Sequence, residues 1–324
     1  MWEIRVQVIF YTLFAAGVLV FVNTFLEYPS DSPLPSILPY TIIPYSNCIL
    51  MGQFNYVSLN VSTWIDSWSK HFNPKDIVIA TPNDTLHPYP NLTSAKYMFY
   101  QSDQGYYSPY INIGKLLRAN PNLRALLYVH DDLLITSSLW KNIGTTTWMV
   151  GTQFWEGYEV IKLYKNGTIS TNNTMFQSWP WWKGCHEAFN RMLDDKEISP
   201  YLHESKTEGA FINVRFGQSD MLYTYFYNIA QKDYFLRLLN LFSKYELFLE
   251  CAVPTAVLMM QEKFGITVYN APLCTSWQYG TVRKNPDRLI QTCTEEGRDY
   301  QAYHPIKLST TSNWSMYFDK IMNL

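Results

Sequence analysis

Charge is what this sequence has least of: Asp, Glu, Lys and Arg make up only 16% of 324 residues, and 25 Lys+Arg nearly balance 27 Asp+Glu. No run of Lys or Arg is present that would neutralise a row of phosphates, so charge excludes a nucleic-acid partner. Histidine is sparse as well, six in all, with no His-x-His or H-E-x-x-H spacing, which disfavours a metal-dependent hydrolase. The five cysteines include no C-x-x-C pair, which argues against a structural zinc site. What the chain has instead is apolar and aromatic mass, 47% and 17%, with 25 Tyr and 11 Trp. That composition excludes a disordered protein. The length allows one large domain or two modest ones.

The apolar residues are concentrated at one place. Residues 6–26 read VQVIFYTLFAAGVLVFVNTFL, 21 residues without a charge, about the ~20 needed to cross a bilayer. Arg5 and the amino terminus flank it on one side and Glu27 and Asp31 on the other, which places residues 1–5 in the cytosol and makes the segment a transmembrane anchor. A cleaved signal peptide is the alternative; its apolar core would be shorter, and no small-x-small site precedes Glu27-Tyr28-Pro29. Residues 27–46, with Pro29, Pro33, Pro35, Pro39 and Pro44, read as an extended stem or, more plainly, a loop. Six N-x-Ser/Thr triplets, at Asn60, Asn83, Asn91, Asn166, Asn172 and Asn313, all follow the anchor. They fit a glycosylated, lumenal, oxidising setting where disulfides persist. Cys274 with Cys293 is the preferred pair among Cys48, Cys185, Cys251, Cys274 and Cys293; the odd count leaves one thiol free or bridged to another chain.

From residue 47 to 324 no composition break or repeat appears, so the segment reads as one lumenal catalytic domain. Asp76-Ile77-Val78-Ile79-Ala80 and residues 123–129 have buried-strand patterns, and between them 107–120 carries helical apolar spacing at Tyr110, Ile113, Leu116 and Leu117. That order predicts β-α-β units and a largely parallel sheet. Phe211-Ile212-Asn213-Val214 predicts another strand, and 220–245 a long helix whose Tyr225, Phe226, Phe235 and Phe242 serve the core. Trp148 and Trp155 also read as structural.

The sharpest local feature is Leu126-Leu127-Tyr128-Val129-His130-Asp131-Asp132, an apolar strand that runs into two adjacent carboxylates. Ligands of open α/β sheets bind beyond the carboxyl ends of strands, and paired carboxylates there suit a hard divalent cation. The plain alternative is a polar turn.

Anchor, Pro-rich stem, sequons and a strand that ends in Asp-Asp together resemble the Golgi-type, single-pass type II glycosyltransferases of the GT-A fold. Residues 105–132 (GYYSPYINIGKLLRANPNLRALLYVHDD) are similar to the helix, strand and acidic turn of such enzymes, loosely of the exostosin-like kind. The resemblance implies a Rossmann-like, mostly parallel sheet flanked by helices. It implies a nucleotide-sugar donor, UDP-linked by preference, and Mn²⁺ or Mg²⁺ on the acidic turn, with a glycan or glycoprotein as acceptor in the Golgi or ER. The sequence departs from a strict D-x-D by having His130 at the first position. Asp132 is then the main metal ligand, with Asp131 assisting or contacting the ribose. In Tyr303-His304-Pro305-Ile306-Lys307, His304 is a further metal ligand and Lys307 a phosphate contact; surface roles are the alternative for both.

Inverting transfer also needs a carboxylate to take the acceptor's proton. Glu250 stands alone among apolar residues in Leu247-Phe248-Leu249-Glu250-Cys251-Ala252-Val253-Pro254. Pro254 cannot donate to the carbonyl of residue 250, so a helix is expected to begin near 250–253 with Glu250 at its positive end. Its alternative role is a cap or ion pair. Asp220 is the second candidate base, with an N-cap role as alternative. Trp181 and Trp182, in Trp179-Pro180-Trp181-Trp182, suit stacking on sugar rings or plain core packing. A non-catalytic, membrane-anchored carbohydrate-binding protein remains the rival reading of the whole chain. The topology yields a first prediction: the mature protein retains its extreme N-terminus and loses mass on enzymatic deglycosylation. An N-terminus near Glu27 overturns the anchor, and an unshifted mass overturns the lumenal setting.

Overall fold

Alternating burial along each strand sets the architecture. In a strand successive side chains face opposite ways, and here both faces are apolar: Leu50, Ile77, Ile79, Leu127 and Val129 point to one cluster, and Met51, Val78, Ala80, Leu126 and Tyr128 to the other. A sheet of that pattern must be covered on both sides. In the computed structural model, which describes residues 48–55, 60–82, 96–100, 107–142, 147–153, 160–170, 182–217, 220–275, 285–308 and 313–324, helices cover both faces. The chain divides into two units, Met1–Pro39 and Tyr40–Leu324, and every described residue belongs to the second. The expected anchor and stem lie outside the described residues, among which no helix is long and apolar enough to cross a membrane.

The strands in chain order are β1 (Cys48–Gln53), β2 (Ile77–Pro82), β3 (Lys96–Tyr100), β4 (Ala125–His130), β5 (Leu134–Ile135), β6 (Thr147–Gln153), β7 (Val160–Tyr164), β8 (Ile169–Ser170), β9 (His203–Ser205), β10 (Gly209–Arg215), β11 (Met221–Tyr225), β12 (Thr267–Thr275) and β13 (Ala302–His304). The helices are α1 (Val61–Trp68), α2 (Ser108–Ala119), α3 (Trp182–Leu193), α4 (Ile229–Lys244), α5 (Leu249–Phe264), α6 (Pro286–Glu295) and α7 (Trp314–Met322). The main sheet has nine strands in the order β3-β2-β1-β4-β11-β6-β12-β13-β5, and a four-stranded antiparallel sheet has the order β8-β7-β10-β9. Helices α2, α3, α4 and α5 pack on one face of the main sheet, and α1, α6 and α7 on the other.

Strand sense decides where the site forms. β1, β2, β3 and β4 are mutually parallel, and β6, β12 and β13 are parallel to one another. β11 lies antiparallel between β4 and β6, so the two parallel blocks run the same way, while β5 opposes β13. The carboxyl ends of β4 and β13 therefore share one edge with the start of β11.

Several expected elements fall within a residue or two of their observed bounds: α2, β2, β4 and β10. The helix expected over 220–245 is corrected. Residues 221–225 instead form β11, and the helix spans Ile229–Lys244 with Asn228 as its N-cap, whose side chain accepts from the Gln231 N–H at 3.0 Å. Met221 and Tyr223 face one cluster and Leu222 the other. Burial between two neighbouring strands outweighs the helical spacing that continues from 229 onward. Asp220 thus precedes a strand and caps no helix. β3 and the antiparallel placement of β11 had no counterpart in the sequence reading.

Two local devices fasten the helices to the sheet and to one another. The Lys232 ammonium of α4 donates to the carbonyls of Asn120, Pro121 and Leu123 at 2.6, 2.9 and 3.1 Å, tying α4 to the connection between α2 and β4. Two disulfides are present, the expected Cys274–Cys293 between β12 and α6 and an unforeseen Cys185–Cys251 between α3 and α5. Cys48 is a free, buried thiol whose pKa burial pushes up to about 12. At the crossing of β1 and α1, a Cβ added at Gly52 would stand 2.6 Å from Cη2 of Trp64, which is fully buried. Gly52→Ala is therefore predicted to destabilise the protein by about 1–3 kcal/mol. Trp64→Leu is expected to recover part of that loss in the double variant, read as non-additive shifts of the denaturation midpoint.

Candidate functional site

The site is built where the sheet's carboxyl edge collects polar residues from distant parts of the chain. β4 ends at His130 and turns at once through Asp131 and Asp132. Backbone hydrogen bonds fix that turn from three sides: Asp131 N–H donates to Gln53 O at 3.0 Å, His130 N–H to Asp220 O at 2.8 Å, and Ile306 N–H to Asp132 O at 2.6 Å. The ends of β1 and β13 and the start of β11 are thereby tied to one acidic turn. Beneath it lies a polar network that sequence reasoning missed, with Gln53 Nε2 donating to Ser108 Oγ at 3.0 Å and Asn112 Nδ2 to Gln53 Oε1 at 3.2 Å, all three residues fully buried.

The side chains above the turn have opposite charges. His304 Nε2 is 3.3 Å from Asp132 Oδ1 and 3.8 Å from Asp220 Oδ1, and Lys307 Nζ is 3.6 Å from Asp132 Oδ2. Asp132, Asp220 and His304 are each about one-eighth exposed, whereas Lys307 is half exposed. Burial alone would lower the His304 pKa, but the carboxylates of Asp220 and Asp132 outweigh it and carry it up to about 9. Burial opposes the charge of Asp132, yet His304, with His130 and Lys307 adding to it, holds this carboxyl below the ordinary carboxylate range. His130 behaves differently, because burial pushes its pKa below the usual value despite the nearby Asp220 and Asp132.

Glu250 enters from α5. The helix starts at Leu249, and Glu250 occupies its first turn, as Pro254 implied. The carbonyl that Pro254 cannot serve is instead taken by the Gly217 N–H at 2.9 Å, so the loop leading to Asp220 is fastened to Glu250's own backbone. The next residue, Cys251, is bonded to Cys185 of α3. Burial first, and then the Asp220 carboxylate, push the Glu250 pKa up to about 8, with His304 acting in the opposite sense. These electrostatic partners place Glu250 in the same neighbourhood as the acidic turn.

The structure thus brings together Asp131, Asp132, His304, Lys307, Asp220 and Glu250. Trp181 lies outside the described residues, as does Trp155; Trp182 begins α3, but its side chain is not among those described. Trp148 is fully buried, with its indole N–H on Tyr225 O at 3.0 Å, in keeping with a structural role. Among the described residues one group of potential ligand atoms lies within 4.8 Å of one another, from His130, Asp131 and Asp132. The presence of two carboxylates and an imidazole fits a divalent cation. Their spacing along the sequence was the legible signal; the approach of Asp220 was not, because it depends on β11 being a strand.

No protein-family model matches the chain, and no curated protein matches it. Among solved structures, an active-site mutant of the glycosyltransferase LgtC aligns over 85% of this chain and 94% of that one, at 9% sequence identity and a TM-score of 0.37. A likeness of that size is no basis for assigning residues, and the site stands on its own geometry.

The Glu250 carboxyl has a consequence for stability. A carboxyl whose pKa is higher in the folded chain than its ordinary value of 4.5 binds its proton more tightly when folded. Its stabilising contribution is therefore full below about 4.5 and lost as pH rises to about 8. In chelator-treated protein, the melting temperature of wild type relative to Glu250→Gln is predicted to fall steadily from pH 5 to pH 8. A difference that does not change with pH would show that Glu250 titrates as an ordinary exposed carboxylate.

Proposed function

We propose that the protein is a metal-dependent glycosyltransferase that moves a sugar from a nucleotide-sugar donor, a UDP-sugar by preference, to a glycan or glycoprotein acceptor. The observation that carries this reading is the meeting of Asp132, Asp220 and His304 at one sheet edge, His304 Nε2 lying 3.3 and 3.8 Å from the two carboxylates. Such an edge is where open α/β sheets bind nucleotides. The mixed, mostly parallel sheet with helices on both faces is compatible with a GT-A arrangement.

Asp132, with Asp131 and His304, would hold Mn²⁺ or Mg²⁺. When bound, the ion supplies positive charge to the diphosphate oxygens that gain negative charge as the glycosidic bond breaks. Lys307, whose ammonium is half exposed beside Asp132, reaches out from the turn to a phosphate oxygen. Asp220 shares His304 with Asp132 and so orients the imidazole. For an inverting transfer Glu250 takes the proton of the acceptor hydroxyl. A base works best when its pKa is near the working pH, and burial sets this one at about 8. Trp181 and Trp182 would offer ring faces to the acceptor sugar.

The setting proposed is the Golgi or ER lumen, with residues 6–26 as a type II anchor, 27–46 as stem and 47–324 as the catalytic domain. Asn60, Asn166 and Asn313, the sequons that lie among the described residues, are all exposed, as attachment of a glycan requires.

The reading is tested on binding and turnover together. Asp132→Asn, which conserves volume and removes charge, is expected to abolish Mn²⁺-dependent UDP binding while leaving the fold intact. Retained affinity would remove the metal from this turn. Glu250→Gln is expected to keep UDP affinity near wild type and to lower transfer by about 10²–10⁴-fold. Full transfer with intact binding would move the base to Asp220 or to a retaining mechanism. A protein that binds free glycan and ignores UDP with Mn²⁺ would be a lectin.

A further inference from the structure

We propose that His130 is itself a ligand of the divalent ion, so that the site grips its ion with two imidazoles, His130 and His304, as well as with carboxylates, and selects a first-row transition ion over Mg²⁺. The inference rests on the reading that Asp132 holds a metal, and it extends that reading to the kind of metal. Three features of His130 support it. Its ring nitrogen belongs to the group of potential ligand atoms, with Asp131 and Asp132, that lie within 4.8 Å of one another. Two donors bonded to one ion at about 2.1 Å stand up to ~4.2 Å apart, so a small side-chain rotation closes the set.

The ring is also buried and incomplete. His130 is 4% exposed, and its Nε2 has no hydrogen-bond partner among the described residues. A histidine that merely packs in a core fills both ring nitrogens, because a buried polar atom without a partner is costly. Here the ring stays beside two carboxylates, with Tyr128 set edge-on against it at 5.7 Å, while the backbone N–H of His130, donating to Asp220 O at 2.8 Å, fixes the main chain that carries it. His304 stands outside that group of three, but its Nε2 lies 3.3 Å from Asp132 Oδ1, close enough to turn toward an ion held there. An ion on Asp132 thus has an imidazole contributed from β4 and another from β13.

Donor chemistry then sets selectivity. Oxygen-only sites suit Mg²⁺ and Ca²⁺, whereas imidazole nitrogen favours first-row transition ions. With His130 beside Asp131 and Asp132, the set offers a nitrogen donor as well as carboxylate oxygens.

The test uses the full chain in detergent micelles with Mn²⁺ alone as the probe, read by electron spin-echo modulation from ¹⁴N bound to the ion. Wild type is expected to show two coupled imidazoles, His130→Gln one, and His304→Gln one, each variant remaining folded by circular dichroism. Mg²⁺ should displace Mn²⁺ only at an excess of about tenfold or more, and His130→Asp, which restores an oxygen donor, should narrow that margin. If His304→Gln loses all ¹⁴N coupling while Mn²⁺ stays bound, His130 is not a ligand and the metal reading survives without it. An unchanged spectrum in His130→Gln overturns the inference in the same way, and does so even if His304→Gln fails to fold. Wild type that binds no Mn²⁺ overturns both the inference and the metal reading.

Discussion

Everything at the working edge of this protein depends on one electrostatic arrangement, the His304 imidazole set against the carboxylates of Asp132 and Asp220. Two carboxylates brought to the rim of an apolar sheet repel each other and lose hydration. A cationic group contributed by another strand makes the arrangement tenable. That requirement explains the rest of the edge. β13 must run in the same sense as β4 for His304 to arrive there, β11 must run in the opposite sense for Asp220 to do so, and the Ile306 N–H must find Asp132 O for the turn to hold its shape.

The same constraint separates what the sequence could reveal from what it could not. β2, β4, α2 and β10 were legible because each carries its own periodicity, and the Asp131-Asp132 turn because it interrupts an apolar run. Glu250 was legible for a similar reason: Pro254 fixes where its helix can begin, and an acidic residue in an apolar stretch stands out. β11 was not. Met221, Leu222 and Tyr223 bury alternately into two clusters, but that alternation is short and abuts a genuine helical pattern, and only strand neighbours at long range decide the outcome. The Cys185–Cys251 bond was invisible for the same reason, since its partners lie 66 residues apart on different helices.

Burial does opposite things to the two histidines, and the contrast comes from their surroundings. His304 faces carboxylates closely enough that they prevail over desolvation, while His130, on the strand itself, is governed by desolvation. One edge therefore presents an imidazole that tends to carry charge and another that tends not to. The disulfide at Cys251 and the Gly217 N–H on the Glu250 carbonyl act on a third group in a mechanical way, fastening the helix turn that carries it.

The pairing of β13 with β5 has one more consequence, for how the protein is made. β5 follows directly on the acidic turn, yet its partner Ala302–His304 stands far along the chain. During synthesis the Asp131-Asp132 turn emerges long before the residues that neutralise it. A nascent chain therefore exposes an incomplete acidic rim until β13 has been made, and the centre closes only when that strand is inserted between β12 and β5. The chemistry is withheld until that strand is in place, and a chain cut short of it would lose His304 together with the buried Ile306, Trp314 and Phe318 that close one face of the sheet.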